Sequence, residues 1–256
     1  MLVARNISKS FGGVKAVRDF SFELGDHDVC SIIGPNGAGK TTAFNLLTGV
    51  YPLDRGEIHL DGKALHPLAQ HEIARQGIAR TFQNIRLFKG LSVVENVMTA
   101  ADPYSRYGLL DIALSTRRKR DRERAVREES RRYLDLVGLA GLDDARADSL
   151  PYGLQRRLEV ARALAGKPKV LLLDEPAAGL NPREVRDFID LIRRLRRDFP
   201  FSILIIEHRM EVVMELSSRI FVLNFGELLA SGTPREIQAN PEVTAAYIGE
   251  EEPASC

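Results

Sequence analysis

The chain has 256 residues, 44% hydrophobic and 28% charged, the make-up of a soluble globular protein with one large domain or two small ones. A formal net charge of +1 gives no overall pull toward nucleic acid or anionic lipid. No apolar run approaches the roughly 20 residues that cross a bilayer, and the opening MLVARNISKSF has no basic head before an apolar core, so no secretory signal is expected.

Leu2–Ser8 alternates apolar and polar residues and reads as a strand. Phe11 follows, before a Gly12-Gly13 turn; it is either a core or hairpin aromatic or a ring that stacks on a flat base. Val17–Leu24 is a second alternating strand. Asp28–Ile33 reads as a buried strand, and its Cys30 as a buried thiol rather than half of a disulfide with the distant Cys256, which fits a reducing compartment. That strand runs into Gly34-Pro35-Asn36-Gly37-Ala38-Gly39-Lys40-Thr41-Thr42, which fits the phosphate-binding pattern G-x-x-x-x-G-K-[ST], with a helix expected over Thr41–Thr48. Glycines let such a backbone curl its N–H groups onto phosphate oxygens, and the helix N-terminus adds partial positive charge. Lys40 is placed to reach the β- and γ-phosphates and the Thr41 hydroxyl to hold Mg²⁺.

Tyr51–Gly56 is a turn, Glu57–Leu60 a short strand closed by Asp61-Gly62, Ile73–Gln76 is helical and Ile78–Phe82 strand-like. Gln83 stands at that strand's end, where its carbonyl oxygen can ligate a metal or orient water, although a glutamine there is as readily plain surface. Ser92–Ala100 has a capping box, Ser92 with Glu95, and reads as a helix. Residues 117–138 read as an amphipathic helix opening on Arg117-Arg118-Lys119-Arg120, either a solvated face with Arg–Glu pairs or a surface for lipid headgroups or a partner. No strand pattern occurs over 88–160, which marks a helical insert. Leu150–Gln155 leads into a helix over Arg156–Leu164, an ordinary cap or a second anion site.

Val170–Leu173 is fully apolar, as a central parallel strand is. Asp174 and Glu175 follow at its carboxyl end, where open α/β sheets bind ligands. Asp174 suits Mg²⁺, and Glu175 suits polarising a water for attack on a γ-phosphate. After the Ala178–Pro182 loop come a helix to Arg197, a buried strand Ser202–Ile206, and Glu207-His208, where a histidine can hydrogen-bond a phosphate oxygen. Arg219–Asn224 and Glu227–Ser231 flank Phe225-Gly226 as a hairpin; short helices over Thr233–Gln238 and Pro241–Ile248 precede an acidic tail.

Together these pieces resemble the ATP-binding subunits of ABC transporters over nearly the whole chain. The stretches RTFQNIRLF, the basic insert after ENVMTA, DEPAAGLNP and NPEVTAAYIGE are similar to the branched-chain amino acid uptake (LivG-type) ATPases. The resemblance implies an α/β P-loop NTPase fold: a mixed-sheet core with a β-subdomain and an inserted all-α subdomain. It makes 1–256 a single ABC domain with a helical subdomain at 88–160 and a helical tail at 233–256. It casts Phe11 as the adenine-stacking ring, Gly34–Thr42 as Walker A, Gln83 as the Q-loop, and Leu150, Pro151, Tyr152, Gly153 and Leu154 as the signature that binds a partner's ATP. Asp174 and Glu175 become Walker B, Gly179–Asn181 the D-loop and His208 the switch histidine. Glu175, His208 and Gln83 are then catalytic, and Thr41, Gln83 and Asp174 surround Mg²⁺.

The family implies a head-to-tail ATPase dimer driving two membrane-spanning permease subunits from the cytoplasmic face of the inner membrane. An external substrate-binding protein takes part indirectly and nucleic acid has no part. In place of L-S-G-G-Q the chain has Leu150-Pro151-Tyr152-Gly153-Leu154. Pro151 lacks a hydroxyl and an N–H, and Leu154 lacks a polar group, so the signature is expected to be weak and the dimer to be a heterodimer with a related ATPase. Arg209 stands where an Asp is commoner. A soluble ABC protein of DNA repair or translation, a non-hydrolysing ATP-gated clamp and an importer ATPase for urea, short amides or aromatic acids are the competing readings. One cassette without sustained heptads argues against the first, and Glu175 with His208 against the second.

Overall fold

The computed structural model describes residues 1–101 and 117–248. The polar stretch before the basic helix, the acidic tail and Cys256 lie outside the described residues. Two sheets form. The first is antiparallel, in the order β2-β1-β4-β5: β1 (Leu2–Phe11), β2 (Val14–Leu24), β4 (Arg55–Leu60) and β5 (Lys63–Ala64). β1 and β2 both run closer to the Gly12-Gly13 turn than alternation alone suggested, because both glycines adopt positive φ and close the hairpin tightly.

The second sheet has the order β10-β9-β3-β8-β7-β6. Its strands are β3 (Val29–Ile33), β6 (Ile78–Arg80), β7 (Val170–Asp174), β8 (Ser202–Ile206), β9 (Arg219–Asn224) and β10 (Glu227–Gly232). All pairings are parallel except β9 with β10. Every residue of β3, β7 and β8 is buried, which is why their sequences are nearly unbroken apolar runs. The register sets Ile32 beside Ile206 and Asp174 beside Ile206, so the carboxyl ends of β3, β7 and β8 are level. The residues that follow them, Gly34, Glu175 and Glu207-His208, therefore emerge at one edge.

α1 (Lys40–Leu47) packs between the two sheets, in a core built from Phe20, Ile32, Phe44, Leu172 and Leu204. On the opposite face a second core gathers α3 (Val93–Ala101), α4 (Arg117–Leu136), α5 (Tyr152–Ala165) and α6 (Pro182–Asp198). A small third core joins α7 (Met210–Leu216), β9, α8 (Pro234–Gln238) and α9 (Pro241–Ile248), and α2 (Gln70–Gln76) precedes β6. α4 buries Tyr133 and Leu134 and pairs Arg127 with Asp144 and Arg131 with Asp143, as a solvated basic face does. Among the described residues no helix is long and apolar enough to cross a membrane.

Candidate functional site

The loop after β3 is shaped by contacts that exclude side chains. A Cβ on Gly34 (φ 149°) would lie 2.0 Å from the Leu223 carbonyl oxygen, and one on Gly39 (φ 98°) 2.2 Å from that of Ala16. β9 and β2 thus press the loop from one side. At the exposed Gly37 (φ 77°) an added Cβ meets nothing within 4 Å, so the loop is open there, a cradle with room for a ligand. Lys40 is buried and its Nζ donates to the carbonyls of Gly34 (2.8 Å) and Pro35 (2.7 Å), setting an ammonium at the loop. α1 starts at Lys40 with no side-chain cap on it, and the partial positive charge of a helix N-terminus favours an anion there. The cradle, the lysine and the helix N-terminus fit a polyphosphate; the exposed Thr41 hydroxyl and the Asp174 carboxylate are the hard oxygen donors that magnesium prefers.

Asp174 is 3% exposed, and its Oδ2 accepts from Arg80 Nη2 at 2.7 Å. Arg80 Nη1 donates to Asn45 Oδ1 (2.7 Å) on α1 and to Thr48 Oγ1 (3.2 Å) at its C-cap, and the guanidinium lies over the Phe44 and Phe82 rings. This one side chain joins the phosphate-loop helix, β6 and the end of β7.

Glu175 takes a left-handed φ of 46°, which is costly for a non-glycine residue, while its N–H donates to the Ile206 carbonyl at 2.8 Å. Glu175 Oε2 accepts from Gln83 Nε2 at 2.7 Å, and Oε1 lies 3.0 Å from His208 Nε2. Gln83, Glu175 and His208 therefore meet. Its position at the strand end predicts a role for the Gln83 carbonyl oxygen; in the structure the amide nitrogen engages Glu175. β6 ends at Arg80 rather than Phe82, because Arg156 takes the Phe82 and Gln83 carbonyls.

Several site residues were not anticipated. Arg80 sits in RTFQ and gave no signal of pairing across 94 positions. Glu207 is 2% exposed; its Oε1 accepts from the Ala177 N–H, and its Oε2 from those of His208 and Arg209. It ties the loop after β7 to the loop after β8, and its place directly after a buried strand was the available clue. Arg156 and Glu159, one turn apart on α5, form a buried ion pair at 3.2 Å, and burial pushes the Glu159 carboxyl up.

The contacts of Leu150–Leu154 run elsewhere. Leu150 is buried, and its carbonyl accepts from Gln155 Nε2. The helix begins four residues earlier than expected, at Tyr152, because the Pro151 carbonyl accepts from the Leu154 and Gln155 amides. A Cβ on Gly153 would meet the Glu184 carboxylate at 2.7 Å, and Leu154 packs against the helical core. Phe11 is 41% exposed at the β1–β2 turn, edge-on to Tyr51 at 5.0 Å.

Residues 17–178 match the family described as "ABC transporter". The chain belongs to the ABC transporter ATP-binding proteins. Residues 227–253 of this ABC cassette match a second family, "Branched-chain amino acid ATP-binding cassette transporter". It is 44% identical to the high-affinity branched-chain amino acid transport ATP-binding protein LivG of Salmonella typhimurium, over 98% of each chain. Identity to BraF of Pseudomonas aeruginosa, a transport ATP-binding protein with the same description, is also 44% over 98% of each. Among solved structures it superposes, with a TM-score of 0.84 and 31% identity over 97% of this chain and 98% of the other, on an ATP-binding cassette of an ABC transporter in its ADP conformation. The cassette binds ATP and is an ATPase of the transport class.

Proposed function

We propose that this chain is the ATP-hydrolysing, energy-coupling subunit of an importer for branched-chain amino acids, bound peripherally at the cytoplasmic face of the inner membrane. The carrying observation is the Glu175 carboxylate, bracketed by Gln83 and His208 at the end of β7 and level with the phosphate loop of β3. Gly34–Thr42 and Lys40 hold the ATP phosphates, and Phe11 stacks on the adenine. Glu175 polarises the attacking water, while His208 and Gln83 orient the water and the γ-phosphate. Thr41, Asp174 and Gln83 would hold Mg²⁺, which supplies charge neutralisation at the phosphate oxygens. The branched-chain match at 227–253 and the LivG and BraF relatives favour this cargo over urea or amides, and transport over DNA repair or translation.

The partners follow from the same reading. A groove of ≈ 680 Å³ runs beside Phe82, Phe88, Ala100 and Ala163, with Phe88 exposed on its wall, and seats a membrane-spanning permease subunit. A second ATPase closes over the phosphate loop. Pro151, without an N–H, and Leu154, tucked against the core, make this chain's own signature a poor phosphate site, which supports a heterodimer with a related ATPase. Leucine uptake by cells lacking this chain tests the proposal. Uptake restored by the wild-type chain and not by Lys40→Ala supports it; normal leucine uptake without the chain contradicts it.

A further inference from the structure

The bracket on Glu175 is itself held from a distance. Arg156 is 3% exposed on the first turns of α5. Its Nη1 donates to the Phe82 carbonyl at 2.6 Å, and its Nη2 to the Gln83 carbonyl and to the Tyr152 hydroxyl, the latter at 2.9 Å. Glu159, its buried ion-pair partner, accepts from the Arg86 amide at 2.8 Å through its other oxygen. The segment from Phe82 to Arg86 is therefore clamped at both ends by one buried pair on α5. Gln83 has no regular strand pairing to fix it, since β6 ends at Arg80. What sets the Gln83 backbone is this guanidinium, and what Gln83 touches is Glu175.

Tyr152 adds a second contact to the same strut. Its ring packs on Gly179 so closely that a Cβ there would lie 3.0 Å from Tyr152 Cε1, and Gly179 holds a φ of 76°. The Arg156 guanidinium lies 5.4 Å from the centroid of that ring. A continuous line of contact thus runs from the Ala178–Asn181 loop through Tyr152 and Arg156 to Gln83, and from Gln83 to Glu175 and His208. Charge-assisted hydrogen bonds from the buried Arg156 guanidinium are directional, and here they link the exposed Tyr152 hydroxyl to the exposed Gln83 segment, so a displacement at one end is carried toward the other.

We propose that Arg156, braced by Tyr152, is a positioning residue for hydrolysis: it fixes Gln83 against Glu175 and makes that placement depend on the Gly179 loop. Neither side chain need touch nucleotide for this role. The proposal rests on the assignment of Gln83 and Glu175 to the reaction.

The test is steady-state Mg-ATP turnover by the assembled transporter in vesicles, with Arg156→Lys and Tyr152→Phe placed on the wild-type and Gln83→Ala backgrounds. Lysine keeps the charge facing Glu159 but cannot reach two carbonyls and a hydroxyl together. Phenylalanine keeps the ring on Gly179 and deletes only the hydroxyl. Each change is expected to lower kcat about tenfold, the effect of one charge-assisted hydrogen bond, with the KM for ATP unchanged. On the Gln83→Ala background each should do nothing further. If Arg156→Lys does not fold, Tyr152→Phe decides. A rise in KM at constant kcat, or the same tenfold loss with and without Gln83, overturns the strut while leaving the site assignment standing. Full turnover by Gln83→Ala and Glu175→Gln would overturn both.

Discussion

Arg80→Met puts the internal wiring of the site to a physical test. Methionine keeps an apolar stem between the Phe44 and Phe82 rings and removes the guanidinium. Asp174 then loses its 2.7 Å partner, with both side chains of the pair at 7% and 5% exposure, and Asn45 Oδ1 loses a 2.7 Å donor. Breaking a buried pair from one side costs about 3–5 kcal/mol, because an uncompensated charge stays behind. For a domain of this size each kcal/mol shifts Tm by about 2–4 °C, so the expected fall is about 6–20 °C. Asp174→Asn strands the opposite charge and should cost a similar amount. The double variant strands neither, so it should be more stable than the sum of the singles by about 2 kcal/mol or more. Thermal unfolding of the four proteins by circular dichroism, without nucleotide, reads all of this. A shift below about 2 °C for Arg80→Met, or strict additivity in the double variant, would refute the assignment of Arg80 as the clasp on Asp174.

Two further outcomes follow from local geometry. Gly34→Ala drives a methyl to within 2.0 Å of the Leu223 carbonyl and should prevent folding, whereas Gly37→Ala points into open space. The latter should fold with a penalty of about 1–2 kcal/mol for its left-handed φ, yet lose ATP in a fluorescence titration by filling the cradle. Burial, with the Asp28 carboxylate near it, pushes the Cys30 thiol up to about 11. In a Cys256→Ser variant, maleimide at pH 8 should label Cys30 only after unfolding. The stabilisation tied to that buried neutral thiol is complete below about pH 9, the unfolded value, and is lost as pH rises toward about 11, a loss that Cys30→Ala should remove.

The parts of the site that sequence made legible are those with a local signature. Gly34–Thr42 is legible because it fits G-x-x-x-x-G-K-[ST] between an apolar strand and a helix-forming run. Asp174, Glu175 and His208 stood out because charged groups at the end of a buried strand need a reason to be there. The β3, β7 and β8 strands were readable because burial on both faces demands apolar residues at every position. Arg80 and Arg156 were not legible. Their partners lie 94 and 73 residues away, and nothing in a single sequence distinguishes an arginine that spans the core from one on the surface. In the sequence Leu154 shows only a missing polar contact; its packing against the helical core depends on the turn at which α5 starts, which Pro151 decides. Helix ends are the least sequence-determined boundaries, and here one such boundary sets which side chains of Leu150–Leu154 face outward.

If Glu175 polarises the attacking water, hydrolysis needs its charge and not only its shape. Glu175→Gln preserves the size and shape of the side chain while deleting the charge that polarises water. Single-turnover hydrolysis of radiolabelled Mg-ATP by the assembled transporter, scored alongside nucleotide retention, is the direct measurement. The variant should retain ATP and cleave it at least about 10²-fold more slowly than wild type. Cleavage at the wild-type rate by an ATP-loaded Glu175→Gln transporter would rule out Glu175 as the group that polarises the water.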